Sequence, residues 1–385
     1  MIAPAARMRK PSILHAYKVF PPDLDGGIPS AIRTLCVSTN DQYDNSVLVA
    51  RTRGAGRNFV SDDGINVDAV SSFGTLFSTP VAPTFPFRLL SRASHADLII
   101  HHAPFPLNDV AIPFFGKTAL IIYWHADVTS FPLLRKAVEP LMVRALARAG
   151  RIIISDQSIL QSTDTLKPFA DKCRVVPYGA DLTYWASCDP AEVEAAEFLR
   201  QKFPRMILAV GRLVPYKGFE VLLHALKRLD AQVAIVGDGP LLPSLQQQAK
   251  ELGVADRVTF RGRLAGHELK SHLYAARALA FPSVTTAEAF GIVQVEAMAA
   301  GLPIVNTNLP TAVPNVARNG REAITVAPND PRALAEALAA ILDDSTFAAT
   351  LGAAGKARAM SEFSQSAYSG KIKSIYRELL EQGAQ

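Results

Sequence analysis

Cysteine is scarce in this chain: three residues in 385, Cys36, Cys173 and Cys188, odd in number and widely separated. Such a set forms neither a disulfide framework nor a zinc-ligand pattern, and it fits a reducing, cytoplasmic setting. Long apolar runs are missing too. No stretch approaches the ~18 residues of a membrane-spanning helix, and the opening MIAPAARMRKPS has basic residues with no apolar core behind them, so it does not read as a secretory signal. No Gly-x-Gly-x-x-Gly follows the first strand-like run, which weighs against a dinucleotide-dependent oxidoreductase. Repeats and low-complexity tracts are absent apart from alanine-rich helical stretches. Net charge is small, +5 in all, and residues 1–185 carry most of it, with 19 Lys/Arg against 15 Asp/Glu, a difference of +4. A mildly basic first half serves solubility alone, or suits an acidic lipid surface or a phosphate-bearing acceptor.

Hydrophobic residues make up 49% and charged residues 19%, the balance of a globular chain and not a disordered one. The length leaves room for two or more cores. Short apolar runs alternate with amphipathic stretches, which indicates α/β layering. Residues 13–17, 46–49, 98–101, 120–124 and 152–155 read as strands, with helices over 31–39 and 133–149. The rhythm restarts with strands at 206–210, 233–236, 258–260, 278–281 and 303–306, and helices at 219–229, 241–252, 268–276 and 331–342, before two further helical stretches. Segment 178–190, rich in Gly, Asp, Ser and Pro, reads as a linker. The expected division is residues 1–185, residues 186–365, and a C-terminal helix over 366–385 returning to the first domain. Two doubly wound domains facing each other would leave a cleft lined by the carboxyl ends of both sheets, where such folds bind ligands.

The tightest chemical constraint is EAFGIVQVE, in which Glu288 and Glu296 stand eight positions apart around Phe290-Gly291. A carboxylate just before a helix has an ordinary use as a cap or dipole partner. The backbone amides of Ala289, Phe290, Gly291 and Ile292 also offer an open helix start for an anionic or hydroxyl-rich ligand. If both glutamates were helical they would lie ~12 Å apart along the axis and off one stripe, which excludes a paired acid and base acting on one bond. Upstream, Gly211-Arg212-Leu213-Val214-Pro215-Tyr216-Lys217-Gly218 follows the strand MILAV. Arg212 can grip phosphate oxygens bidentately and Lys217 adds a mobile point charge; alone, such a pair is as readily a solvated loop. Gly237-Asp238-Gly239 gives a tight turn that could bring backbone against a base, as could the strand end Phe260-Arg261-Gly262-Arg263-Leu264. Gly26-Gly27 precedes a helix start as an ordinary turn or a close-approach loop. Asp23-Leu-Asp25 mimics a metal-binding DxD, but it sits in a Pro-rich loop and is discounted.

The order VGRLVPYKG, VGDGP, FRGRL and PSVTTAEAFGIVQVEAMAAGLPIVNT resembles the retaining family-4 glycosyltransferases with the GT-B fold, two Rossmann-like doubly wound domains facing across a cleft. In the first half HAYKVFPPDLDGGIPSAI, IIYWHADV and CRVVPYGAD are most similar to bacterial mannosyl- and rhamnosyltransferases of O-antigen and exopolysaccharide synthesis. The resemblance implies that Arg212 and Lys217 neutralise the diphosphate of a nucleotide-sugar. It implies that Glu288 accepts hydrogen bonds from donor-sugar hydroxyls and that Glu296 holds the ribose, where one carboxylate serves two neighbouring hydroxyls. Gly27, Gly211, Gly237, Arg263, Leu264 and residues 289–292 complete the implied donor site. His125 matches a histidine beside the donor sugar and is the further catalytic candidate. Asp127, His101 and His102 are acceptor candidates, and Ser155 and Tyr178-Gly179 match loops near the cleft and hinge. No metal or cofactor is implied. After Gly320 the chain reads Arg-Glu-Ala-Ile where many relatives have a second glycine, which touches local loop shape only.

The expected reaction is transfer of a hexose, mannose from GDP-mannose first, to a sugar hydroxyl of a polyprenyl-linked glycan, with retention by front-face departure. Alternatives are a UDP-dependent glucosyl- or galactosyltransferase, a GDP-rhamnose rhamnosyltransferase, a sugar-nucleotide epimerase or a non-catalytic nucleotide-sugar-binding module. Lys217→Ala is expected to lower turnover severely and leave the fold intact. Phe73, Phe77, Phe85, Phe87, Arg88 and Arg92, with Arg135, Lys136, Arg144, Arg148 and Arg151, suggest peripheral contact of a cytoplasmic protein with anionic lipid; core phenylalanines and a solvated cationic face are the plainer reading.

Overall fold

The computed structural model describes residues 9–24, 26–76, 79–125 and 132–383, with the backbone alone at 132–135, 137 and 383. The chain forms two compact units, Met1–Gly179 with Gln365–Gln385, and Ala180–Ser364. The division therefore falls at Gly179/Ala180 and not at 185/186. Segment 178–190 is not a free linker: Asp181 caps a short helix, Leu182–Trp185, and Asp189 with Glu192 forms a capping box for Pro190–Lys202. The Asp and Pro residues that look like linker composition are helix-start residues.

The first unit is built on an eight-stranded sheet. Its strands are β1 (Ser12–Ala16), β2 (Asp44–Ala50), β3 (Arg57–Val60), β4 (Asn66–Val70), β7 (Leu98–Ala103), β8 (Ala119–Trp124), β9 (Arg151–Ile154) and β10 (Cys173–Val175), in the order β10-β9-β8-β7-β1-β2-β4-β3. All neighbours are parallel except β3 with β4. A hairpin, β5 (Thr75–Leu76) and β6 (Thr79–Pro80), stands apart. β7 is buried throughout, as expected where helices cover both faces of a parallel sheet. The helix Gln365–Gly383 belongs to this unit: Tyr368, Ile372 and Tyr376 join Ile13, Leu98 and Tyr123 in one core, and Lys373 pairs with Asp41 at 2.8 Å.

The second unit holds six parallel strands, β11 (Met206–Val210), β12 (Gln232–Val236), β13 (Val258–Gly262), β14 (Ala278–Phe281), β15 (Ile304–Thr307) and β16 (Ala323–Val326), ordered β13-β12-β11-β14-β15-β16. Chain progression runs outward in one direction from β11 and in the other from β14. The topological switch point, where open α/β sheets bind ligands beyond the strand ends, therefore lies between them. In the first sheet the corresponding point lies between β1 and β7. Among the described residues no single helix is long and apolar enough to cross a membrane.

Candidate functional site

The second unit's switch point is occupied by a buried ion pair. Lys217, in the 3₁₀ turn Pro215–Lys217 after β11, places Nζ 2.5 Å from Oε2 of Glu288, in the loop after β14. Their side chains are 13% and 9% exposed. The two loops are joined by backbone: Val284 N–H donates to the Tyr216 carbonyl at 2.8 Å. Gly218 lets the strands' ends close up, since a Cβ there would lie 2.1 Å from the Pro282 carbonyl oxygen. The ammonium also stands 5.1 Å from the Phe281 ring centroid and 5.5 Å from that of Tyr216, faces that favour a cation. Glu288 accepts a second bond, 3.0 Å from the Oγ of Ser283, itself fully buried.

This arrangement replaces the capping reading of Glu288. The helix Ile292–Ala299 is preceded by Gly291, so Glu288 lies outside it and only Glu296 is helical; the axial distance argued for two helical glutamates does not apply. Ser283 and Phe281 were not singled out in the sequence, although both stand at the carboxyl end of a strand, the usual place for such residues. The amides of Gly291 and Ile292 have no partner among the described residues, so the helix start is open. Behind it, buried Gln294 donates to the carbonyls of Phe290 (3.2 Å) and Val313 (3.3 Å) and accepts from Asn306 at 2.9 Å, fixing the turn from inside.

Around the pair, Arg212 and Arg263 are exposed, and their side chains have no ion-pair or hydrogen-bond partner among the described residues; Leu264 is half-buried. Gly211 and Gly237 approach each other at the ends of β11 and β12. Glu296 is half-buried with no polar partner for its carboxyl among the described residues, and burial pushes its pKa up to about 7. No His, Cys, Asp or Glu cluster of metal-binding geometry coincides with this site among the described residues; the one such group, Asp189, Glu192 and His267, has Glu192 bound by Lys270 at 2.8 Å and by His267 at 2.6 Å.

In the first unit the structure gathers His15, His101, His102 and His125 away from solvent, while His95 stays exposed. His101 is buried, accepting from Asn108 at Nδ1 (2.6 Å) and donating from Nε2 to Asp109 (2.9 Å). His102 and His125 are buried side by side, 2.8 Å between Nδ1 and Nε2, and Tyr178 reaches His125 Nδ1 at 2.5 Å. Burial lowers the His125 pKa to about 3, so the ring is neutral. In this arrangement none of the three histidines offers an unoccupied ring nitrogen to an acceptor. Asp127 lies outside the described residues. Gly27 opens the helix Gly27–Thr39 and is exposed with clear space around it. Asp23 is held by Arg51 (2.6 Å) and Arg57 (3.3 Å), an ion-pair role in place of a metal ligand's. Ser155 is fully buried with its hydroxyl unpartnered among the described residues.

A basic and carboxylate pair at a switch point, beside an open helix start, defines an α/β protein able to hold an anionic, hydroxyl-bearing ligand. Residues 192–358 match the family described as glycosyl transferases group 1. The chain is 31% identical over 356 residues to the D-rhamnosyltransferase WbpZ of Pseudomonas aeruginosa, covering 90% of each. It is 27% identical over 327 residues to the O-antigen chain mannosyltransferase C of Escherichia coli, covering 85% of this chain and 87% of that one. The crystal structure of Anabaena Alr3699/HepE in complex with UDP superposes with a TM-score of 0.77 at 20% identity, over 96% of this chain and all of that one. The chain belongs to the glycosyl transferases group 1 family: it is a glycosyltransferase of GT-B fold.

Proposed function

We propose that this glycosyltransferase moves mannose from GDP-mannose onto a sugar hydroxyl of a lipid-linked glycan, with retention at the anomeric carbon and without a bound metal. The observation that carries the reading is the Lys217–Glu288 pair at the switch point with Arg212 unpaired on the same loop. Each member of that pair has a partner to exchange. The donor diphosphate takes Lys217 and Arg212, and Glu288 then accepts from the sugar hydroxyls. The bond from the anomeric carbon to the phosphate oxygen breaks, the bond to the acceptor oxygen forms on the same face, and the acceptor proton passes to the departing phosphate oxygen. Cations and helix-start amides placed where charge develops are the main source of acceleration. A second reading, transfer of D-rhamnose, is supported by the D-rhamnosyltransferase relative. Phe73, Phe87 and Phe114, 81%, 74% and 72% exposed on the first unit, support peripheral contact with lipid. Phe85 is core, Arg88 is paired with Asp68, Arg151 with Glu378, and Arg148 donates to the Gly116 and Thr118 carbonyls, so these four do not contribute. Phe77 and the Arg135 side chain lie outside the described residues.

The test offers GDP-mannose, GDP-rhamnose, UDP-glucose and UDP-galactose with a polyprenyl-linked oligosaccharide in anionic vesicles, reading products by mass spectrometry and anomeric configuration by NMR. GDP-mannose should be consumed, with retention, in the presence of chelator, and the protein should sediment with the vesicles. Consumption of a UDP-sugar instead, an inverted product or chelator inhibition would each overturn the matching part. Donor conversion without acceptor would mean an epimerase, and binding without cleavage a non-catalytic module.

Glu296 supplies a pH signature. If the ribose hydroxyls bind its carboxylate, docking must release the proton that burial retains near pH 7. Affinity for the nucleoside diphosphate should fall about tenfold for each pH unit below 7 and level off above it. Titration calorimetry in buffers of different ionisation enthalpy should show the released proton, and Glu296→Gln should reduce both effects to what the terminal phosphate of the ligand itself supplies. A pH-independent affinity in the unaltered protein would remove Glu296 from the ribose.

A further inference from the structure

Four residues far apart in sequence form one hydrogen-bonded row with Tyr178 in the first unit. Asn45 Oδ1 meets His15 Nε2 at 3.1 Å, His15 Nδ1 meets His102 Nε2 at 3.1 Å, and His102 Nδ1 meets His125 Nε2 at 2.8 Å. Tyr178 closes the row at His125 Nδ1. The ring planes are nearly parallel, 24° between His15 and His102, 14° between His102 and His125 and 4° between His125 and Tyr178. His15 and His102 are fully buried and His125 is 2% exposed. Tyr17 stands edge-on to His102 and His125, and Tyr123 lies against His125 with centroids 4.4 Å apart.

The direction of every bond in the row follows from its far end. The Asn45 amide nitrogen faces the Cys36 carbonyl at 3.1 Å and the Thr39 hydroxyl at 3.0 Å, and that hydroxyl already donates to the Leu35 carbonyl at 2.9 Å. Asn40 Oδ1 also faces this nitrogen at 3.0 Å, and the Cys36 carbonyl can only accept, so the amide cannot be reversed and Oδ1 must face His15. A neutral imidazole has one donor and one acceptor. His15 therefore donates from Nε2 and accepts at Nδ1, His102 does the same, and His125 donates from Nε2 and leaves Nδ1 as an acceptor for Tyr178. Burial keeps the rings neutral, with His15 lowered to about 4. The row ends on an amide, which neither takes nor yields a proton at neutral pH. It holds a tautomer; it does not conduct.

We propose that His15 and His102, oriented by Asn45, are positioning residues of the transfer reaction that fix His125 as the Nε2–H tautomer with an acceptor-only Nδ1. The kinetic part rests on the reading of His125 as a residue of the donor site; the tautomer does not, and the test separates them. In the unaltered protein labelled with 15N-histidine, long-range 1H–15N spectra at pH 7 should show His15, His102 and His125 all as Nε2–H. His15→Leu removes the acceptor for His102, so His125 should become a mixture of tautomers and kcat should fall about tenfold, a barrier increase of ~1.4 kcal/mol, with the donor KM little changed. His15→Asn places an amide oxygen near the former Nδ1 and should restore the single tautomer and most of kcat. An Nδ1–H or protonated His125 in the unaltered protein overturns the proposal whatever the variants do. So does a folded His15→Leu protein with the original tautomer and kcat. If the tautomers shift as stated while His125→Ala transfers normally, the row is real and His125's place in the reaction is refuted.

Discussion

Lys217→Ala is expected to lower transfer by about 10²- to 10³-fold and to destabilise the second unit by about 3 kcal/mol. The first effect follows from losing a cation placed where leaving-group charge develops. The second follows from burial: the substitution strands the Glu288 carboxylate, 9% exposed, with Ser283 as its remaining hydrogen-bond donor. The fold, expected from sequence to stay intact, should therefore do so with a melting temperature lowered by about 6–12 °C for a unit of this size. The two effects can be pulled apart. In Lys217→Met/Glu288→Gln neither partner is left as an uncompensated charge, so most of the melting temperature should return while transfer stays low. Differential scanning calorimetry and a radiolabelled-donor assay on Lys217→Met, Glu288→Gln and the double variant supply the cycle. Normal transfer by any folded protein lacking the Lys217 ammonium would reduce the pair to a structural contact.

Most parallel strands were legible because they are buried on both faces and so appear as unbroken apolar runs, and Met206–Val210 and Ala278–Phe281 have the bounds read from sequence. β4, whose run is broken by Asp68, and β16, half-buried and broken by Thr325, were missed. β3 was not legible, since its residues are mostly exposed and carry no such run, and β10, with no fully buried residue, was missed for the same reason. Segment 178–190 was placed correctly as the connection, since the division falls within it, but its helix starts were not legible, because Asp and Pro serve equally in linkers and at helix starts. At the site, residue type and strand-end position identified Lys217 and Glu288, but not that they bind each other. That contact depends on β11 and β14 being neighbours, which a strand order inferred from chain order alone does not supply. The histidine row was invisible for a stronger reason. His15, Asn45, His102, His125 and Tyr178 come from five separated segments, and no short motif records a hydrogen-bonded line across them.

Gly237→Ala is expected to cost the second unit about 3 kcal/mol or more, although the turn Gly237-Asp238-Gly239 carries little information as a motif. Gly237 has φ +140°, and a Cβ built on it would lie 1.9 Å from the Gly211 carbonyl oxygen and 2.8 Å from its carbon. Those atoms are backbone and cannot swing aside. They are also held: Gly211 N–H donates to Val236 (2.9 Å), Gly237 N–H to Gly262 (2.7 Å), Leu213 N–H to Asp238 (3.0 Å) and Leu241 N–H to Leu213 (3.1 Å). One methyl group thus forces apart the ends of β11 and β12 and shifts the loop bearing Arg212 and Lys217, so nucleoside-diphosphate binding should weaken with stability. Gly253→Ala is the control. It shares a positive φ, +68°, but nothing lies within 4 Å of its added carbon, so it should cost only the left-handed strain of about 1 kcal/mol. Thermal melting of the two variants, with nucleotide titration of each, should therefore give a large, binding-linked loss at Gly237 and a small, binding-neutral one at Gly253. Equal losses would mean that backbone conformation alone, and not the contact between the two strand ends, sets the requirement for glycine.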